Sequence, residues 1–74
     1  MFKIGNLVKI SEYSDNENYD EFRDQTLVIV KISTSEYDHP GFDTGMAGQG
    51  LYDLETLDGE EVPFSLYDYE LEEV

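Results

Sequence analysis

Apolar and polar residues alternate with a period of two over several short segments, which is the pattern of half-buried β-strands. Residues 2–10 predict a first strand that is interrupted at Gly5. Residues 26–32 contain the longest apolar run, and their β-branched side chains predict a strand near the centre of a sheet. Residues 11–21 have no apolar period and are dense in Asn, Asp and Ser, so they predict an exposed loop.

The second half of the chain begins with another long loop. Residues 33–50 hold four of the six glycines, a density that excludes a stable helix. Residues 51–57 alternate again and predict a strand, which ends at the hairpin signal Asp58-Gly59. These features place a β-hairpin directly after the glycine-rich loop.

The last fifteen or so residues predict two short strands separated by one helical turn. Residues 61–64 predict a short strand, and Pro63 places it at an edge of the sheet or at a strand end, because it has no N–H to donate to a ladder. Residues 65–69 predict the turn, and residues 70–74 predict the closing strand. Five short strands without a helical period predict an all-β fold, and closure into a small barrel would remove the sheet edges. The predicted core is Ile4, Val8, Ile10, Leu27, Ile29, Leu54, Val62, Phe64, Leu66 and Leu71.

Charge narrows the classes of partner. The chain has 74 residues, with 18 acidic side chains against 4 basic ones, for a net charge of −14. All four bases lie in the first 31 residues, and the remaining 43 residues carry twelve acids and no Lys or Arg. A surface so acidic excludes general nucleic-acid binding, which needs a basic face, and it argues against docking on anionic lipid. It predicts a protein partner with a basic surface and keeps a small domain monomeric.

Cysteine usage and the N-terminus bear on the compartment. The chain contains no cysteine, which favours a reducing compartment for so small a domain. The first ten residues do not form a signal peptide, because Lys9 interrupts the apolar run and no small-residue cleavage site follows. No apolar stretch approaches the ~18 residues that span a bilayer. We therefore expect a cytoplasmic protein without a membrane contact.

Two segments carry a resemblance to a known fold family. Residues 2–10, Phe-Lys-Ile-Gly-Asn-Leu-Val-Lys-Ile, resemble the opening strand of SH3-like small barrels. Residues 51–72 look like the distal hairpin, the short helical turn and the last strand of such barrels. The sequence pattern is similar to that of short uncharacterised SH3-like proteins of bacteriophages and bacteria. The order of predicted elements is also similar to that of the PsaE subunit of photosystem I. The resemblance implies one five-stranded SH3-like barrel over residues 1–74, with two long loops and a short helical turn before the last strand. It implies no activity, because the fold hosts many functions.

Six tyrosines are the first candidate binding group. In SH3-like folds, aromatic side chains between the long loops and the helical turn form grooves for proline-rich segments or cages for cations. Nearby acids would favour a cationic ligand through Coulomb and cation–π attraction. For any single tyrosine, packing in the small core is the stronger interpretation, with the groove as its alternative. The candidate tyrosines are Tyr13, Tyr19, Tyr37, Tyr52, Tyr67 and Tyr69.

Acidic residues of the second half are the other candidate group. Alternate acids on a strand lie about 6.8 Å apart on one face. Such an array could mimic a phosphate backbone and block a basic nucleic-acid-binding protein, as a phage-type inhibitor would. The alternative is that the acids only keep the domain soluble. The acids assigned to partner binding are Glu60, Glu61, Glu70 and Glu72.

Three loop features suggest catalysis or metal binding, but the neighbouring residues that such sites require are missing. Asp43 belongs to an Asp-Thr-Gly triplet, but no buried apolar strand precedes it as aspartic proteases require. The acidic loop from Asp15 has Asp20 and Thr26 where an EF-hand needs Gly and Glu. His39 is the single histidine and lies in the glycine-rich loop. The sequence therefore predicts a non-enzymatic binding module, with no catalytic residue, metal ion or cofactor.

The net charge generates a prediction about salt. Twelve acids in residues 32–74 repel one another in the compact state. Raising the ionic strength from about 0.01 M to about 0.15 M shortens the Debye length from about 30 Å to about 8 Å. We expect this to raise the melting temperature at about pH 7, as followed by circular dichroism. A melting temperature that is constant or falls would contradict the repulsion argument.

Overall fold

A computed structural model describes residues 2–12, 17–34, 37 and 49–74 of the chain. Its strands form one five-stranded antiparallel sheet in the order β4-β3-β2-β1-β5. The strands are β1 (Leu7–Ile10), β2 (Leu27–Ser33), β3 (Leu51–Thr56), β4 (Leu66–Tyr67) and β5 (Leu71–Glu73). The predicted all-β class is thereby confirmed.

Strand β2 occupies the centre of the sheet, as its apolar run predicts. Leu27 and Ile29 are fully buried on its inner face. Leu27 pairs with Thr56 of β3 on one side and with Val8 of β1 on the other. The register with β3 shifts between Ile29 and Lys31, so that Val30 is the extra residue of a β-bulge.

The return from β3 departs from the predicted strand at residues 61–64. Only an isolated bridge between Glu55 and Glu61 forms there, and Val62 N–H donates to the carbonyl of Leu54 at 3.0 Å. Pro63 then interrupts the ladder, because it has no N–H to give. Pairing resumes as β4, inside the segment for which a helical turn was predicted. The turn itself is a 3₁₀ helix, Asp68–Glu70, immediately before β5.

The two ends of the sheet are not joined. Strand β4 lies at one end of the order and β5 at the other, and no pairing links them in the part of the chain that the structure describes. The structure therefore shows an open antiparallel sheet, and the predicted closure into a barrel is not seen.

The first predicted loop contains a folded element. A 3₁₀ helix covers Glu17–Phe22 and buries Tyr19 and Phe22. The ring of Tyr19 lies 4.6 Å from that of Phe64, and the Phe22 ring packs edge-on against Phe64 at 5.8 Å. The prediction of a wholly exposed loop at residues 11–21 is therefore wrong, because two aromatic anchors reach the core across the chain. The second predicted loop falls mostly outside the described residues.

The core matches the predicted residues with two differences. Ile4 is 66% exposed, so its prediction as a core residue is wrong. The chain turns at this point: Asn6 N–H donates to the Lys3 carbonyl, and Gly5 has a φ of 90° that favours glycine. The turn directs Ile4 away from the sheet, and Phe64 is only partly buried at the core margin. The structure adds buried residues absent from the predicted core: Tyr19, Phe22, Leu51 and Tyr52.

Ile4 and Ile29 provide a matched test of this core. We expect Ile29→Ala to lower the free energy of unfolding by about 2–5 kcal/mol, the usual cost of truncating a buried isoleucine. Ile4→Ala should change it by no more than about 0.5 kcal/mol, as surface substitutions do. Urea unfolding of both variants measures the difference. Equal losses would show that Ile4 is packed in the core after all.

Candidate functional site

The hydroxyl of Tyr52 connects three parts of the chain. The side chain is fully buried, yet its Oη accepts a hydrogen bond from Phe2 N–H at 3.1 Å and donates one to Asp68 Oδ1 at 2.9 Å. Gly50 lies so close that an added Cβ would meet the Tyr52 Oη at 2.7 Å. The ring of Phe2 packs edge-on against the ring of Tyr52 at 5.6 Å. This contact set fixes the start of the second 3₁₀ helix.

The carboxylate of Glu70 fixes the other end of that helix. Tyr19 Oη donates to Glu70 Oε2 at 3.0 Å, and Tyr67 N–H donates to Glu70 Oε1 at 3.0 Å. Both carboxylate oxygens thus accept hydrogen bonds from the chain itself. Glu70 was predicted as a partner-binding residue, and the structure places its carboxylate in a bracing role.

The predicted tyrosines separate into buried and exposed members. Tyr19 and Tyr52 lie in the core, and their hydroxyls donate hydrogen bonds to the carboxylates of Glu70 and Asp68. Tyr37 is 92% exposed, and Tyr13 lies outside the described residues. The structure does not bring Tyr19, Tyr37 and Tyr52 together on one surface.

Tyr67 and Tyr69 do come together. Their rings are nearly parallel, with an interplanar angle of 7° and centroids 6.3 Å apart. Tyr67 is half-buried, whereas Tyr69 is 65% exposed. Both flank Asp68, and the two hydrogen-bonded carboxylates described above hold the backbone beneath them. We call Tyr67, Asp68, Tyr69 and Glu70 the tyrosine patch.

The predicted acids occupy two separate places. Glu60 and Glu61 are exposed at the turn after β3, where Glu61 faces Glu55 across the isolated bridge. Glu72 lies on β5 and has basic and hydroxyl partners: its Oε2 is 3.7 Å from Lys9 Nζ, and its Oε1 accepts a bond from Ser11 Oγ at 3.5 Å. The predicted single array is thus divided between the hairpin turn and the opposite end of the sheet.

The remaining sequence motifs find no support in the described part of the chain. Asp43 and His39 lie outside it, as does the start of the acidic loop. Within it, no three His, Asp or Glu side chains are grouped so that they could hold a metal ion. No helix among the described residues has the length and apolarity needed to cross a membrane.

Two shallow grooves flank the sheet. One encloses about 410 Å³ and is lined by Tyr19, Phe22 and Phe64 together with Pro63 and polar residues of the first 3₁₀ helix. The other encloses about 400 Å³ between the Lys9–Glu72 ion pair and the segment that follows the first 3₁₀ helix. Neither contains a nucleophile beside a base, which is the arrangement that covalent catalysis needs.

No protein-family model, no curated protein and no solved structure matches this chain. Its function is therefore inferred from the geometry of the described residues alone.

Tyr52 gives the site a measurable pH signature. Burial raises the pKa of Tyr52, the Phe2 N–H lowers it, and the hydrogen bond and charge of Asp68 raise that pKa further. Because the pKa of Tyr52 is raised in the folded state, the stability that this group contributes is fully present below its unfolded pKa near 10. That contribution is lost as the pH rises through the folded pKa.

We therefore expect the melting temperature to fall steeply above about pH 10. Tyr52→Phe should flatten that fall, although it should cost about 1–3 kcal/mol at neutral pH by leaving two hydrogen-bonding groups without partners. Tyr69→Phe, at an exposed tyrosine, is the control and should keep the alkaline slope. Equal slopes in wild type and Tyr52→Phe would exclude the proposed coupling.

Proposed function

We propose that this chain is a non-enzymatic binding module that takes a basic segment of a protein partner on the tyrosine patch. The parallel ring pair of Tyr67 and Tyr69 is the observation that carries the proposal. An exposed aromatic face next to carboxylates attracts Lys or Arg through the ring quadrupole and the local negative charge. The net charge of −14 adds long-range attraction toward a basic surface. We further propose that the module acts as a monomer in the cytoplasm.

The rigidity of the patch supports this assignment. The 3₁₀ helix beneath Tyr69 is braced at one end by the Tyr52–Asp68 hydrogen bond and at the other by the Tyr19–Glu70 bond. A ligand that binds a braced surface pays less conformational entropy than one that must order a loop. Asp68 and Glu70 also place two acidic side chains beside the rings, where they can help to attract a cation.

An SH3-like architecture belongs to the same proposal. The strand order β4-β3-β2-β1-β5 and the 3₁₀ helix directly before the last strand fit the resemblance noted in the sequence. Closure of the sheet into a barrel is part of the proposal and not an observed feature.

A second candidate function is a nucleic-acid mimic that blocks a basic nucleic-acid-binding protein. The observation in its favour is the isolated bridge between Glu55 and Glu61, which places these two acidic residues opposite each other. Like charges in this position destabilise a sheet, and a basic partner would relieve the repulsion. Exposed Asp58 and Glu60 at the same turn extend the negative surface.

Binding of an arginine-glycine repeat peptide separates the two candidates. At about 0.15 M salt we expect Tyr69→Ala to weaken binding roughly two- to fivefold, which corresponds to an exposed cation–π contact of about 0.5–1 kcal/mol. Tyr69→Phe keeps the ring and should bind like the wild type. Fluorescence anisotropy of a labelled peptide measures each dissociation constant.

The mimic predicts a different outcome. The double substitution Glu60→Gln and Glu61→Gln would then weaken binding more than Tyr69→Ala, and affinity would fall steeply as salt rises. If the peptide binds with unchanged affinity to both Tyr69→Ala and the Gln variant, the proposed function is wrong in either form.

A further inference from the structure

One row of side chains crosses the outer face of the sheet from β5 to the hairpin turn. Val74 N–H donates to the Leu7 carbonyl at 3.2 Å, Leu7 pairs with Val28, Val28 pairs with Glu55, and Glu55 pairs with Glu61. Paired residues of neighbouring strands lie on the same face, so these five side chains form one line. We call them the outer row. The residues of the outer row are Val74, Leu7, Val28, Glu55 and Glu61.

The row is apolar at one end and acidic at the other. Leu7 is 45% exposed and Val74 is 65% exposed, with Val28 half-buried between β1 and β3. Val30, the bulge residue two positions after Val28, is 38% exposed and widens the apolar end. These residues lie on the face opposite the buried side chains of Leu27 and Ile29, so the core does not account for them.

The acidic end has a local electrostatic cost. Glu55 and Glu61 stand directly opposite each other, and neither forms an ion pair with another described residue. A basic group of a partner placed over this pair would remove a repulsion that the free protein bears. A second copy of the chain would instead bring its own net charge of −14 against this acidic surface. Charge complementarity therefore favours a basic partner over self-association.

Geometry sets the spacing that such a partner needs. Neighbouring strands lie about 4.8 Å apart, so Leu7 is about 10 Å from Glu55 and about 14 Å from Glu61 across the sheet. An extended chain covers that distance in three to four residues at about 3.3 Å each. A segment that fits the row thus has an apolar block and a basic block separated by a few residues.

We infer that the outer row docks an extended segment of the basic partner, with apolar side chains over Leu7 and Val28 and Lys or Arg over Glu55 and Glu61. This inference rests on the proposed function, and it specifies the partner further by requiring an apolar block at a fixed distance from the basic one. The tyrosine patch alone would select for positive charge, whereas the row also selects for order along the segment.

Two synthetic peptides of identical composition test the inference. The block peptide carries Leu and Val at one end and Lys and Arg at the other, about three residues apart as the row requires. In the alternating peptide the same residues are interleaved. We expect the block peptide to bind at least about fivefold more tightly, as measured by calorimetry at about 0.15 M salt. The amide NMR signals of Leu7 and Val28 should shift on binding.

Matched variants locate the contact. Leu7→Thr keeps a β-forming residue and should abolish the preference for the block peptide. Leu57→Thr is the control, because Leu57 is 67% exposed in the turn outside the row and should leave the preference unchanged. Thermal melting of both variants confirms that they fold.

The outcomes distinguish the row from the tyrosine patch. Equal binding of the two peptides, with shifts confined to the tyrosine patch, would overturn the row and leave the proposed function standing. A preference for the block peptide that survives Leu7→Thr would also overturn it. Absence of binding by both peptides would contradict the row and the proposed function together.

Discussion

A buried tyrosine hydroxyl must find hydrogen-bond partners, and in this protein that requirement organises the site. Tyr52 is forced into the core because β3 pairs with the central strand, with Ile32 as its partner there. Its hydroxyl then binds the amide of Phe2 and the carboxylate of Asp68, which are 66 residues apart in the chain. The N-terminal segment and the second 3₁₀ helix therefore take their places relative to one hydroxyl group. The exposed ring of Tyr69 is presented on the element that this bond braces.

Charge acts against this small structure and in favour of its proposed activity. Four bases cannot compensate eighteen acids, so most carboxylates have no basic partner available anywhere in the chain. The stability of the sheet must come from burial of the apolar core, since hydrophobic burial is the dominant favourable contribution in folding. In the proposed function, the same uncompensated charge would speed encounter with a basic partner, and binding would relieve the repulsion within the free protein.

The elements with a strong local signal could be predicted, and those that depend on distant contacts could not. The continuous apolar run of β2 predicted its central place in the sheet, because β-branched runs are typical of central strands, although Val28 and Val30 on its outer face are only partly buried. Burial of Tyr19 could not be predicted from its local sequence, because its contacts, Glu70 and Phe64, are more than forty residues away in the chain. Ile4 alternates in phase with the buried residues Val8 and Ile10, but the turn at Gly5 interrupts the strand, so the alternation does not extend to Ile4. Pro63 predicted an edge or a strand end, and only an isolated bridge forms before it, while the resumption of pairing at β4 depends on its register with Leu51.

The tyrosine patch and the outer row share one face of the sheet. Tyr67 pairs with Leu51 and Glu61 pairs with Glu55, and these two β3 residues are four positions apart. The separation along the strand is therefore about 13 Å, a distance that one extended segment can bridge. Each contact alone is weak, since an exposed cation–π pair contributes only about 0.5–1 kcal/mol. When one segment makes the first contact, its second contact group is held close to its own site at a high effective concentration. The affinity of the whole segment therefore exceeds that of either contact alone. A small sheet whose described grooves are shallow can in this way reach useful affinity by spreading weak contacts over one face.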